Sequence, residues 1–306
     1  MKKYALVFSG QGSERVGMFN DLLKESNALE HVLSELENHL DIDLRNIITT
    51  RDSALVASNN QILLSIFHHL KTQLLLDKIG YLPTLFMGHS FGQFSALSNS
   101  GSISFNEMIV FLSERLRIIN DPNIEVRASF KSLHGMTVNV FDKLKQDEKL
   151  CDDVELALHN QREQVVCAAT EKGQAKLNEL SGKYNYVLRD VHVSRPYHTS
   201  FMNEYNQLLC PHIDKLNFSK PDSPVLLNHS NEMTECIDTL RVETKIQMVK
   251  PVFWYDSVVK AAECVDAFVI IDPTETQLKI IRRITDKKIY NVSNMGVIKM
   301  IEKKGL

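Results

Sequence analysis

A serine flanked by two glycines places the strongest constraint on how this chain can fold. Residues 88–92 read G-H-S-F-G, a G-x-S-x-G pattern that follows a short apolar stretch at residues 84–87. Apolar residues then recur at the spacing of a helix packed on a sheet. Glycine at both flanks removes the Cβ atoms that would clash in a sharp turn from strand to helix. The sequence therefore predicts an α/β fold in which Ser90 is exposed at a strand end.

A second glycine-rich turn follows the first predicted strand. Residues 4–8 are apolar or aromatic and run into Ser-Gly-Gln-Gly-Ser at residues 9–13. Strand ends of this kind build the active sites of open α/β sheets. We therefore expect this turn and the Ser90 turn to face one site.

The order of the predicted elements divides the chain into a large and a small unit. Apolar runs alternate with helical periodicity over residues 1–121 and 193–306, as in βα units on a parallel sheet. Residues 122–192 instead predict a small two-layer α+β insert. The predicted strands of the insert are residues 128–133, 154–158, 164–168 and 186–189, and its predicted helices are residues 140–149 and 171–180. Those of the large unit include helices at residues 29–40 and 61–79 and strands at residues 224–227 and 267–271.

Composition argues against several classes of function. The 306 residues carry a formal net charge of -3 and do not interleave basic with aromatic residues, which argues against a nucleic-acid ligand. No apolar stretch approaches the length of a membrane span, so the protein is expected to stay in solution. Its five widely spaced cysteines suggest neither a disulfide framework nor a metal site, and a reducing cytoplasm is expected.

A serine nucleophile needs a base, and the chain offers eleven histidines. His89, adjacent to the serine, is interpreted as a packing or orienting residue. His198 lies at the return from the insert, in a loop that Pro196 restrains before a predicted helix. The residues alone make His198 the leading candidate and leave the other histidines open.

Five motifs follow one another along the chain. Residues 8–13 match F-x-G-Q-G-S, and residues 88–92 match G-H-S-x-G. The other three are a Tyr-His segment at residues 197–202, an Asn and Gln-Val-Val strand at residues 160–166, and Q-x-x-x-P-V-x-W at residues 247–254. Together they resemble the malonyl-CoA:acyl-carrier-protein transacylase family, which includes the acyltransferases of polyketide synthases. The resemblance implies an α/β-hydrolase-like large subdomain with a parallel sheet and an inserted ferredoxin-like small subdomain.

The resemblance also implies catalytic roles. Ser90 would attack the thioester of malonyl-CoA, and His198 would act as general base and then as general acid. The main-chain carbonyl of Gln247 would orient His198 in place of an aspartate. The backbone N–H groups of Gln11 and Phe91 would form the oxyanion hole, in which one donor is typically worth about 3 kcal/mol.

Three further residues are implied in substrate binding. Arg115 lies 25 residues after Ser90, in register with the family's arginine that binds the malonyl carboxylate. A guanidinium offers a carboxylate a planar, bidentate fit. Without that register, a solvated helix arginine would be the expected alternative. The bulky Tyr197 would disfavour an α-methyl branch, and Gln61 is also expected to contact the substrate.

Several positions depart from the family pattern. Gln93 stands in place of Glu, Leu116 in place of Gly and Ile62 in place of Pro, and Asp272-Pro273 replaces Gly-Pro. These departures suggest a discrete enzyme that serves a polyketide or hybrid assembly line in trans, more than the housekeeping enzyme of fatty-acid biosynthesis. The implied substrates are malonyl-CoA and the phosphopantetheine thiol of an acyl carrier protein. No cofactor is expected, and neither is an oligomer.

Other functions are also considered. An editing hydrolase on the same fold would lack an arginine at position 115. A generic α/β-hydrolase esterase would explain neither Gln11 nor Gln247. A catalytically inactive module that only docks a carrier protein is disfavoured because Ser90, His198 and Gln247 occur together.

Overall fold

A computed structural model describes residues 2–25, 27–37, 40 and 42–306. Its strands are β1 (Tyr4–Phe8), β2 (Leu85–Gly88), β3 (Ser129–His134), β4 (Val154–Gln161), β5 (Gln164–Ala169), β6 (Val187–Val191), β7 (Val225–Leu226), β8 (Met233–Thr234), β9 (Ala267–Ile271) and β10 (Lys288–Asn291). Among the described residues these strands form two separate sheets.

Helices account for most of the remaining structure. The helices of the large unit that precede the insert are α1 (Asn20–Glu25), α2 (Ala28–Leu36), α3 (Leu44–Thr49), α4 (Ser53–Ser58), α5 (Asn60–Ile79), α6 (Gly92–Asn99) and α7 (Phe105–Ile119). The insert contains α8 (Val138–Asp147) and α9 (Glu171–Tyr184). The large unit continues after the insert with α10 (Asn203–Asp214), α11 (Ile237–Ile246), α12 (Trp254–Cys264), α13 (Thr276–Ile281) and α14 (Met295–Lys304). No helix in the described ranges is long and apolar enough to cross a membrane.

The larger sheet has the order β10-β9-β1-β2-β7-β8 and is parallel except for its last strand. Its central strand β1 is completely buried, and its residues alternate between two apolar cores: Tyr4, Leu6 and Phe8 contribute to one, Ala5 and Val7 to the other. Burial on both faces is typical of a parallel sheet covered by helices. Because Phe8 is in register with both Gly88 and Ile271, three strands end at the same level. The turns that follow them therefore meet at one edge of the sheet.

The smaller sheet is antiparallel, with the order β4-β5-β3-β6. Its strands and helices follow one another as β3-α8-β4-β5-α9-β6, which is the ferredoxin-like arrangement. This sheet has an apolar core of its own, around Leu133, Phe141 and Leu177. A bridge between Leu158 and Val252 connects it to the larger unit.

The α/β class with two subdomains is thus confirmed, and the predicted strands of the insert lie within a few residues of the observed ones. Strand β10 was not predicted, because this short edge strand carries a lysine and an asparagine and is only partly buried. The two-residue strand β8 was also missed. The predicted helix at residues 29–40 corresponds to α2, which ends at Leu36, and residues 38 and 39 of that prediction lie outside the described residues. The exact subdomain boundaries stay a prediction.

Candidate active site

Ser90 stands in a sharp turn between β2 and α6. Its φ of 54° lies in the left-handed region, which residues other than glycine seldom occupy. The two flanking glycines are required by space: a Cβ on Gly88 would lie 2.0 Å from the carbonyl of Gly92, and a Cβ on Gly92 would lie 2.3 Å from the carbonyl oxygen of Phe8. The turn is therefore packed tightly against the end of β1, as the glycine pattern indicates.

The structure brings Ser90, His198 and Gln247 together. The hydroxyl of Ser90 lies 2.6 Å from Nε2 of His198, and Nδ1 of His198 lies 2.8 Å from the main-chain carbonyl oxygen of Gln247. Because a carbonyl can only accept, Nδ1 carries the proton and Nε2 is left to accept the proton of the serine. This is the hydrogen-bond arrangement of an activated nucleophile.

His198 is held by its backbone as well as by its ring. Its φ is 66°, and its N–H donates to the carbonyl of Met248 at 2.7 Å. The side chain is buried, and this burial lowers the pKa of His198 to about 3. The imidazole is therefore neutral near pH 7, in the form that can take up a proton.

The side chain of Gln247 makes a contact that the sequence did not indicate. Its Nε2 donates to the carbonyl oxygen of Ser90 at 3.1 Å. With the two bonds of His198, this contact closes a ring of three hydrogen bonds among Ser90, His198 and Gln247. The main-chain contact implied for Gln247 is therefore one of two contacts with the catalytic pair, and the other is made by its side chain.

The turn at residues 9–13 lies directly beside the serine. A Cβ on Gly10 would lie 2.8 Å from the carbonyl oxygen of His89 and 3.7 Å from Cβ of Ser90. Neither Gln11 nor Phe91 uses its backbone N–H to bond another residue in the described part of the chain. The two amides expected to form the oxyanion hole are thus adjacent to Ser90 and available.

Arg115 is buried, with only 2% of its surface exposed. Its guanidinium lies between the rings of Phe94 and Tyr197, each centred 5.3 Å away, and Nε and Nη1 have no hydrogen-bond partner among the described residues. A buried cation with no counter-ion among the described residues is costly, so this environment favours the binding of an anionic group. The alternative of a solvated helix arginine is wrong.

Gln61 and Tyr197 are also buried. Gln61 is completely enclosed, and neither atom of its amide has a partner among the described residues, as expected of a group that awaits a ligand. The preceding Asn60 accepts a hydrogen bond from the side chain of Gln11 at 3.1 Å. The start of α5 is therefore in contact with the turn beside Ser90.

His89 turns away from the nucleophile. Its Nε2 lies 2.8 Å from Oδ1 of Asn160 on β4, and its ring meets the edge of Trp254 at 5.1 Å. Burial lowers the pKa of His89 to about 4. Its contacts are those of a packing and orienting residue, since it connects the serine turn to the smaller subdomain.

Comparison with known proteins agrees with this site. A family model described as the acyl transferase domain matches residues 5–302. The malonyl CoA-acyl carrier protein transacylase of Synechocystis sp. is 30% identical over 265 residues, which cover 85% of this chain and 86% of that protein. This chain belongs to the malonyl-CoA:acyl-carrier-protein transacylase family.

Two further members extend the comparison over nearly the whole transacylase fold. The malonyl CoA-acyl carrier protein transacylase of Bacillus subtilis is 27% identical over 318 residues, which cover 98% of this chain and 96% of that protein. A malonyl-transacylase solved in complex with a type II polyketide synthase acyl-carrier protein superimposes with a TM-score of 0.91 at 22% identity. That alignment covers 98% of this chain and 99% of the other.

Gln93, which departs from the transacylase pattern, contacts the segment that supports the serine turn. Gln93 accepts the backbone N–H of Asn228 through Oε1 at 2.9 Å, and Asn228 in turn donates from Nδ2 to the carbonyl of Gly88 at 2.7 Å. A neutral amide at position 93 therefore holds the β2 end of the serine turn. Asn228 follows β7 and belongs to none of the five motifs, so the sequence offered no signal for it.

Proposed function

We propose that this enzyme transfers malonyl from malonyl-CoA to the phosphopantetheine thiol of an acyl carrier protein, through a malonyl ester on Ser90. The observation that carries the proposal is the buried guanidinium of Arg115, whose Nε and Nη1 have no partner among the described residues, together with an oriented Ser90 and His198 pair. The serine and histidine supply acyl transfer. The arginine selects an acyl group that ends in a carboxylate.

In the first half-reaction Oγ of Ser90 attacks the thioester carbon while its proton passes to Nε2 of His198. The carbonyl oxygen becomes an oxyanion, which accepts hydrogen bonds from the backbone N–H groups of Gln11 and Phe91. The C–S bond then breaks, and the sulfur of CoA takes the proton from His198. The carbonyl of Gln247 stabilises the transient imidazolium, because it accepts the hydrogen bond from Nδ1.

The second half-reaction reverses these roles. The thiol of phosphopantetheine gives its proton to His198 and attacks the ester carbon, and Ser90 leaves with that proton. The relative whose solved complex contains an acyl-carrier protein supports this choice of acceptor. Acyl transfer of this kind needs no cofactor beyond the two substrates.

Tyr197 sets a second element of substrate choice in this proposal. Its ring packs against the guanidinium of Arg115, and the residue is buried next to His198. An α-methyl group on the acyl chain would have to displace this ring. The enzyme should therefore prefer malonyl to branched extender units.

The proposal extends to the biological setting of the enzyme. The departures at Gln93 and Leu116 favour a discrete enzyme of a polyketide or hybrid assembly line. The five cysteines, all within the described residues, are free, which is compatible with the reducing cytoplasm that we propose. We propose a monomer as the active form.

Incubation of the protein with malonyl-CoA should increase its intact mass by one malonyl group. Adding a phosphopantetheinylated carrier protein should remove the group and increase the mass of the carrier. Release of free malonate in place of transfer would indicate the editing hydrolase. Absence of any adduct would indicate the inactive docking module.

Replacing Arg115 with alanine should change substrate choice more than folding. The malonyl carboxylate would be desolvated without a partner, at a cost of roughly 2 to 5 kcal/mol, whereas acetyl has no such group. The ratio of malonyl to acetyl transfer should fall by about a hundredfold or more. Competition between the two acyl-CoA esters, read by mass spectrometry, measures this ratio.

Arg117 provides the matched control, because it lies on the same helix α7 and pairs with Glu114 at the surface. Arg117→Ala should leave the ratio unchanged. An unaltered ratio in Arg115→Ala would place the carboxylate elsewhere.

A further inference from the structure

A buried row of side chains connects the turn at residues 9–13 to helices α5 and α6. Oγ of Ser9 lies 2.7 Å from Oγ of Ser13 and 3.1 Å from Nε2 of His68, and Nδ1 of His68 lies 2.8 Å from Oγ of Ser95. Oγ of Ser13 also lies 2.7 Å from the carbonyl oxygen of Gly10. At most 3% of any of these four side chains is exposed. We call this row the His68 relay.

The direction of every bond in the His68 relay follows from its last acceptor. The carbonyl of Gly10 can only accept, so Ser13 donates to it. The hydroxyl of Ser9 must then donate to Ser13, because Ser13 has no second proton. Nε2–H of His68 donates to Ser9, and Nδ1 accepts the hydroxyl proton of Ser95. Every member is satisfied when His68 is neutral with its proton on Nε2.

The end of the relay lies on one particular peptide group. The carbonyl of Gly10 and the N–H of Gln11 belong to the same planar amide, so a bond that fixes one fixes the direction of the other. We propose that the His68 relay is a positioning device for the oxyanion hole, which holds the Gly10–Gln11 peptide with its N–H directed at the site. This inference rests on the proposed function, in which that N–H stabilises the oxyanion.

The position of His68 suits this role. Helix α5 presents the ring between the turn that carries the Gln11 amide and α6, whose N-cap residue is Phe91. One imidazole thus bonds both segments that supply the oxyanion hole. Burial lowers the pKa of His68 to about 3, so the ring keeps its neutral form throughout the pH range of the reaction. A donor at Ser13 also polarises the peptide, which strengthens its N–H as a donor.

The kinetic test compares His68→Phe and Ser13→Ala with the wild type. Phenylalanine keeps a ring at position 68 and removes both bonds, whereas Ser13→Ala removes the bond to the peptide itself. Each should lower kcat of malonyl transfer by about tenfold to a hundredfold, with KM nearly unchanged, because the oxyanion exists only in the transition state. A lower melting temperature with unchanged kcat would mean a merely structural role and would overturn the proposal.

A matched control lies one turn earlier on α5. The hydroxyl of Ser65 is buried and has no partner among the described residues, so Ser65→Ala changes the same helix without touching the relay. Its kcat should equal that of the wild type. The double variant of His68→Phe with Ser13→Ala should be no slower than Ser13→Ala alone by more than about twofold, since both act through one peptide. Fully multiplicative losses would contradict a single relay.

Two measurements keep the inference distinct from the proposed substrate. Acetylation of Ser90 by p-nitrophenyl acetate needs the oxyanion hole but no malonyl group, so its rate should fall in the same variants. If the wild type reacts with this ester and not with malonyl-CoA, the proposed function fails and the relay is still judged by the ester rates. Long-range ¹⁵N NMR should find His68 as the neutral Nε2–H tautomer. An Nδ1–H tautomer would overturn the inference. Ester rates that are the same in His68→Phe, Ser13→Ala and the wild type would also overturn it.

Discussion

Ser90→Ala should abolish the malonyl adduct and leave the fold intact. We expect this side chain to be the acylated group, because its hydroxyl lies 2.6 Å from Nε2 of His198 and because the backbone N–H groups of Gln11 and Phe91 bond no other described residue. Alanine removes one oxygen and needs no more room in the tight turn. Intact mass after incubation with malonyl-CoA measures the adduct, and circular dichroism checks the fold.

Ser98→Ala is a suitable control, because Ser98 lies on α6, the helix that follows the Ser90 turn, and its hydroxyl has no partner in the described part of the chain. That variant should be acylated like the wild type. Malonyl found on the Ser90→Ala protein, mapped to another residue, would refute the assignment.

His198→Ala should lower the acylation rate by at least about a thousandfold, since the serine would lose its proton acceptor. Single-turnover mixing with malonyl-CoA and quenching at short times measures this rate directly. His192→Ala is the control, because His192 is exposed six residues earlier in the same return segment. A His198→Ala protein with a near wild-type rate would redirect the search to another histidine.

The same histidine sets the response to pH. Its folded-state pKa of about 3 lies below the ordinary value, so protonation removes the base only in strong acid. The acylation rate should therefore stay level from about pH 8 to about pH 5. A loss centred near the ordinary pKa of histidine would show that solvent reaches the ring in the working enzyme.

The catalytic pair was predictable because Ser90 and His198 each lie in a short sequence motif. Few other structures require these motifs. The glycine pattern fixed the turn, and the family register pointed to Arg115. The strands of the insert were predictable from short apolar runs, of which β5 is buried along most of its length. All of these features are encoded in local stretches of sequence.

The remaining features depend on contacts that are distant in sequence. His68 and Ser9 are 59 residues apart, and no local pattern in either segment indicates that the two side chains are in contact. The one available signal was a polar residue on the buried face of α5, where a histidine needs partners to be tolerated. Edge strand β10 was not predicted because it is only partly buried, so its sequence shows little hydrophobic pattern.

The closed ring among Ser90, His198 and Gln247 makes the reactivity of Ser90 depend on segments that are distant from it in the sequence. Its bonds span 108, 49 and 157 residues, so any piece of the chain that contains all three partners must include residues 90–247. While the chain is being synthesised, the serine emerges long before the groups that activate it. A nascent chain that has not yet reached Gln247 therefore carries Ser90 without the carbonyl that orients His198.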